Sequence, residues 1–337
     1  WGVERPLAFH LLAWSSATGE NLFENCTFLQ EAPRWNLYGR KPDGRQCRSE
    51  DCPSAHRWTQ GTAKPTFAIC AAAYRDPFAQ WAHDQIPFKY PQLIWLHLVP
   101  WDASVQAQTP SDLPLAALFR PLGHVYTRSA WDTPDATWAM LQCGPIFAGH
   151  QHSDNNSFVI FKRGSLAIDS GVNEYSSHRA NYYSRSVAHN TILVYDKDED
   201  FPDAVWSSQG KGGSNDGGQR RVAFPTRVRA PDDHKAVRDI GRITAFVNRE
   251  PYCYACGDAT ESYSPKKLGR FTRQFVQLRP DTFVVFDRVD ATSASYPKTW
   301  LLHSIDEPVF PKTGSSFRVE QNGGRLDVWT LLPQDAA

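Results

Sequence analysis

Four residues in one stretch have the types and spacing for metal or proton chemistry: His150, His152, Asp169 and His189. The stretch runs from Gly149 to Thr191. It reads GHQHSDNNSFVIFKRGSLAIDSG and, after a polar-aromatic segment, SVAHNT. Apolar runs at Phe158–Phe161 and Leu166–Ile168, broken at Gly164, predict a hairpin. His150 and His152 stand at i and i+2, so on a strand both imidazoles point to one face. Asp169 ends the next predicted strand, and His189 precedes a third, Thr191–Tyr195. Adjacent strands thereby bring two or three imidazoles and a carboxylate to one spot, a donor set that suits a borderline ion such as zinc. A lone histidine at a strand end is usually an ordinary polar residue. Three candidate ligands, His152, Asp169 and His189, each beside a tight strand boundary, favour a metal. His150 is then the candidate catalytic residue. Its imidazole can take or give a proton or, once protonated, stabilise a carboxylate. Spacing alone equally permits His150 as one more ligand.

The residues around this core offer binding groups. Asn155-Asn156-Ser157 either donates hydrogen bonds to a substrate or shapes a turn. The turn is the reading for Asn155, and Asn156 is the candidate substrate contact. Tyr175, His178, Tyr182, Tyr183 and Arg185 crowd the segment before His189. Such a segment lines a carbohydrate site, where rings stack and arginine pairs with carboxylate or sulfate, or else it packs its tyrosines on a sheet. Tyr175, His178, Tyr182 and Arg185 are the candidate substrate contacts here. Arg273 and Asp287-Arg288 read as structural ion pairs. No phosphate-binding glycine loop, GxSxG elbow or HExxH motif is present.

The elements that must position these residues divide the chain in two. Residues 1–95 carry helix signals. Leu7, Leu11, Leu12 and Trp14 form an apolar stripe with Gly19 as a stop. Pro33–Pro53 reads as a polar loop and Phe67–Trp81 as a second helix, with prolines 100, 110 and 114 marking a linker. From about Pro121 the texture changes to short Val-, Ile-, Thr- and Phe-rich runs. These lie at His124–Arg128, Thr137–Cys143, Ser157–Phe161, Leu166–Asp169, Thr191–Tyr195, Arg242–Asn248, Phe271–Leu278, Thr282–Asp287 and Thr299–His303. Many strands with no helices between them predict an antiparallel sandwich. Ser207–Arg221, rich in Gly, Ser, Asn and Asp, reads as a mobile loop. The expected fold class is α+β multidomain, with a helical part over 1–110 and a β-sandwich over 111–337.

Composition sets limits on partners. Lys+Arg and Asp+Glu balance at 36 each, so no basic excess points to nucleic acid or an anionic membrane. No apolar run approaches the roughly 20 residues of a membrane helix. Seven cysteines are present. A single CxxC, Cys253 to Cys256, lacks the second pair of a zinc ribbon and the βαβ setting of a thioredoxin motif. Cys47 and Cys52 are close enough in sequence to close a small loop in an oxidising compartment. Both ends of the sequence read as cut: the helices are too few to close a bundle, and the last strand stops abruptly.

GHxHxDxNSF, then a glycine and DSG, then AHNT before LVYD, resembles the heparinase II/III-like polysaccharide lyases. Leu37–Arg45, Gly257–Thr260, Arg273, Asp287–Val289 and Leu302–Ser304 extend the likeness outward. The resemblance implies a partial (α/α) toroid followed by a large antiparallel β-sandwich. It implies β-elimination on an acidic polysaccharide such as heparin, heparan sulfate or alginate, at a periplasmic or secreted location. It maps His152, Asp169 and His189 onto the metal ligands and His150 onto the catalytic histidine. The divalent metal, zinc with calcium or manganese as alternatives, is then structural. A homodimer is compatible with it. The family's toroid tyrosine has no match here; it is expected just upstream of Trp1. Two other functions stay open: a non-catalytic, metal-stabilised glycan-binding sandwich, and a hydrolase using metal-bound water.

Overall fold

The computed structural model describes residues 4–48, 64–87, 98–146, 150–172, 178–199, 215–220, 239–311 and 315–333. Contacts divide the chain into two units, Trp1–Cys47 with Ala55–Pro114, and Arg48–Ser54 with Leu115–Ala337. No helix is long and apolar enough to cross a membrane among the described residues.

The first unit is helical. Helix α1 (Glu4–Thr18) ends where Gly19 takes a left-handed φ of 77° and its N–H returns to the Ser15 carbonyl. Helix α2 (Thr27–Gly39) runs through Pro33 into sequence read as a loop from that proline onward. Proline removes the N–H that would bond the carbonyl four residues back. That carbonyl, on Leu29, accepts from Cys70 Sγ at 3.5 Å, and Leu29, Leu37 and Tyr38 bury the helix face. The predicted single helix over Phe67–Trp81 is two, α3 (Lys64–Tyr74) and α4 (Pro77–Gln85). Asp76 causes the break. Its carboxylate accepts from the N–H groups of Phe78 and Ala79, and Pro77 opens the new helix.

The second unit is built from antiparallel sheets. Five strands lie in the order β1 (Ala116–Phe119), β2 (His124–Arg128), β3 (Trp138–Gln142), β4 (Ser157–Lys162) and β5 (Gly164–Ala167). Strand β6 (Ile192–Val194) pairs with β11 (Lys298–Trp300). A four-stranded sheet holds β7 (Arg242–Arg249), β8 (Tyr252–Asp258), β9 (Leu268–Leu278) and β10 (Thr282–Ala291), and β12 (Ser316–Gln321) with β13 (Gly324–Trp329) forms a hairpin. Val125, Leu141, Phe158 and Ile160 of the first sheet share one core with Cys253, Ala255 and Phe275 of the second. Two sheets packed through such alternating inner residues are a sandwich. In β8, Cys253 is buried and Cys256 half-buried. Residues three apart on a strand face opposite sides, so this CxxC can neither pair nor chelate. Cys52 lies outside the described residues.

Candidate metal and catalytic site

The histidines sit on loops at strand ends: His150 and His152 lie off the strand on which their spacing was read, and His189 precedes β6. His150 is on an exposed turn and His152 in the irregular segment before β4. The backbone there bonds sideways into other loops: Ser153 N–H to the Ser184 carbonyl, and Asn155 N–H to Gln219 Oε1. A left-handed Asn156, φ 62°, then turns the chain into β4. The two imidazoles therefore meet different surroundings, His150 exposed and His152 only 2% accessible. Asp169 follows β5, where its carboxylate accepts the Gly171 N–H at 2.8 Å. His189 caps a short 3₁₀ turn, Ser186–Ala188, and precedes β6.

These loops converge. One donor atom each from His152, Asp154 and His189 lies within 4.8 Å of the others, and all three residues are buried. The His152 and His189 rings are 5.3 Å apart, and Asp169 Oδ1 is 2.8 Å from His189 Nδ1. Burial alone would lower the pKa of His189. The Asp169 and Asp154 carboxylates and the Tyr183 carbonyl outweigh it and hold the pKa up at about 9. Burial pushes Asp169 up, but His189, His152 and the Gly171 amide leave it below the ordinary range. Asp154 is raised, chiefly by burial. Gly171 is required by space: a Cβ there would stand 2.2 Å from the Tyr183 carbonyl oxygen and 2.5 Å from His189 Cε1.

A second group of side chains fixes the loops. Asn190 donates to the carbonyls of Phe158 and Ile168, and its Oδ1 accepts the His303 N–H. Arg273, wholly buried, donates through Nη1 to the carbonyls of Asn156 and Asn190, each at 2.6 Å. Its other nitrogens form a bidentate pair with Asp287 at 2.7 and 2.6 Å. One guanidinium thus ties the segment after His152 to the residue after His189. Gln219 bonds Asn155 in both directions, so 215–220 is anchored; most of the predicted mobile loop lies outside the described residues.

The predicted substrate contacts fare unequally. Asn156 is fully buried, and its amide donates to the Gly257 carbonyl of the opposing sheet. Arg185 is nearly buried and paired with Asp216 at 2.9 Å, which spends its charge inside the loop. Tyr182 is half-buried, with its hydroxyl 2.9 Å from Ser170 Oγ. His178 is exposed, at the start of a π-helical turn, Arg179–Tyr183. Tyr175 lies outside the described residues. Asp154 and Gln142 were missed. The signal for Asp154 was its place two residues beyond His152, the same spacing that drew attention to the histidines.

The heparinase II/III-like C-terminal family model matches residues 114–335, the whole of the described β unit. The chain belongs to the heparinase II/III-like family. No curated protein matches by sequence. Among solved structures, the chain is similar to a heparan sulfate lyase, HepC, from Pedobacter heparinus. It has 18% identity and a TM-score of 0.56, over 88% of this chain and 38% of that one. It is similar to a heparinase III, the BT4657 gene product, with 14% identity and a TM-score of 0.54, over 85% of this chain and 36% of that one. At such identities the likeness concerns the fold. The chain spans little more than a third of the heparinase chains it matches.

Proposed function

We propose that this chain is the C-terminal part of a polysaccharide lyase that cleaves a uronic-acid glycan of the heparan sulfate or alginate type by β-elimination. The observation that carries the reading is the split within one His-x-His segment of a heparinase-family sandwich. His152 turns into a buried donor cluster while His150 stays exposed two residues away. In the reaction a base removes the proton at C5 of the uronate, O4 leaves with the preceding sugar, and a C4–C5 double bond forms. An exposed imidazole can exchange a proton with substrate or, when charged, offset the carboxylate that acidifies C5. The second proton carrier, a tyrosine, is assigned to the helical toroid of the whole protein, of which α1–α4 form a part.

The buried cluster fits a divalent cation. Two imidazoles and carboxylate oxygen suit zinc, and His189 keeps both ring nitrogens out of regular hydrogen-bond geometry. His152, Asp169 and His189 would hold the ion, and its chemistry is to cross-link three loops. The location is periplasmic or extracellular, where such polymers occur.

The test is the whole protein incubated with heparan sulfate and, separately, alginate. Unsaturated uronate ends absorbing in the ultraviolet are expected from one of them; only saturated ends would reject the reading. A second reading is a glycan-binding sandwich without turnover. Calorimetric binding of the polymer with no unsaturated product selects it.

A further inference from the structure

We infer that Asp154 is a fourth protein donor to the metal, so that the site is closed and the ion carries no water. The inference rests on the structural-metal reading above and deepens it.

Asp154 meets the geometric condition directly. One of its carboxylate oxygens lies within 4.8 Å of a donor atom on each of His152 and His189. Its rotation is fixed, because Gln142 of β3 donates from Nε2 to Asp154 Oδ2 at 2.8 Å. A ligating carboxylate with one oxygen held by a neighbouring amide is the usual outer support of a metal site.

Asp169 reaches the same place from the other side. His189 Nδ1 faces Asp169 Oδ1 at 2.8 Å, yet the contact lacks hydrogen-bond direction. The opposite ring edge borders Gly171, where an added Cβ would lie 2.9 Å from Nε2 and 2.2 Å from the Tyr183 carbonyl. Nε2 is therefore the nitrogen beside the main chain, and Nδ1 is the one turned to the cluster.

Charge agrees with geometry. Among the described residues, neither Asp154 nor Asp169 has an ion pair with lysine or arginine. Two carboxylates at one buried site match the charge of a divalent ion. Burial leaves little room for a fifth partner: His152, Asp154 and His189 are 2%, 3% and 0% accessible, and the Asp169 side chain 6%. Metal sites that activate water keep three protein ligands and an open position, whereas closed four-ligand sites are structural. A four-donor set thus sets this centre apart from a hydrolase with metal-bound hydroxide.

The experiment loads the full chain with cobalt(II) and records its visible spectrum with and without azide. Intense four-coordinate bands, unmoved by azide, are expected. Asp154→Asn should weaken metal binding by about tenfold or more, measured against a chromophoric chelator, and make the spectrum azide-sensitive. A wild-type spectrum that azide shifts would overturn the closed site without any variant. So would an Asp154→Asn protein that keeps the wild-type affinity and spectrum. Lyase turnover by the whole protein is scored separately. Turnover with an azide-sensitive ion sinks the fourth donor alone, and an azide-inert ion without turnover sinks the lyase reading alone.

Discussion

His150 and His152 share one backbone segment and have opposite fates, and mutation should separate them. His150 is exposed on a turn, so His150→Ala should change stability by no more than about 0.5 kcal/mol. Its loss should cut turnover of the whole protein on the order of a hundredfold or more, as removal of a proton-transfer group does. Thermal melting and ultraviolet product assay, run on the same sample, give both numbers. Arg273 should behave in the reverse way. It is wholly buried, and Arg273→Met strands Asp287 and two main-chain carbonyls. Breaking one side of a buried pair costs about 3–5 kcal/mol. Arg273→Lys should recover only part, because an ammonium cannot span Asp287, Asn156 and Asn190 at once. Denaturant titration of the three proteins orders them, and a Lys variant as stable as wild type would refute the bridging role.

Loops rather than strands hold the candidate ligands, and each loop is kept in place by a specific close approach. Gly171 makes one of these. In Gly171→Ala the new methyl meets a backbone oxygen at 2.2 Å and the His189 ring at 2.5 Å. Overpacking of this kind costs about 1–3 kcal/mol, and here it displaces His189 directly. Metal content after dialysis should fall along with stability; unchanged metal content would show that the loop absorbs the methyl elsewhere. Strands β4 and β6 were legible in the sequence because β-branched and aromatic residues cluster at Ser157–Phe161 and Thr191–Tyr195. Strand β8 was not, since its inward residues are Cys253, Ala255 and Gly257, too small to mark a period. Helix α2 was hidden by Pro33, whose missing hydrogen bond is offset by Cys70, a residue distant in sequence. The His-x-His pair was placed on a strand because spacing carries no record of the long-range bonds from Ser184 and Gln219 that pull it out of the sheet. Asn156 read as a substrate contact for a similar reason: only the opposing sheet, at Gly257, shows that it faces inward.

At the scale of the whole molecule, the sandwich encloses ionisable groups that must be kept in one protonation state. Lys267, for example, lies wholly buried against Glu199. His124 is the clearest case for acid. It opens β2 in the five-stranded sheet, opposite Gln142 of β3, and is 5% accessible. Burial lowers its pKa from 6.5 to about 4. The unfolded chain binds a proton at this residue below about pH 6.5, while the folded chain resists until about pH 4, so acid favours unfolding. Stability from this residue is complete above pH 6.5 and is lost as the pH falls through 4. The shift corresponds to roughly 3 kcal/mol at the acid end. His124→Gln keeps a polar side chain of similar size without the titration. Its stability relative to wild type, measured by denaturant at steps from pH 7 to pH 4, should therefore rise as the pH falls. Parallel curves for the two proteins across that interval would mean that His124 takes up its proton without cost and that the sheet admits water at this position.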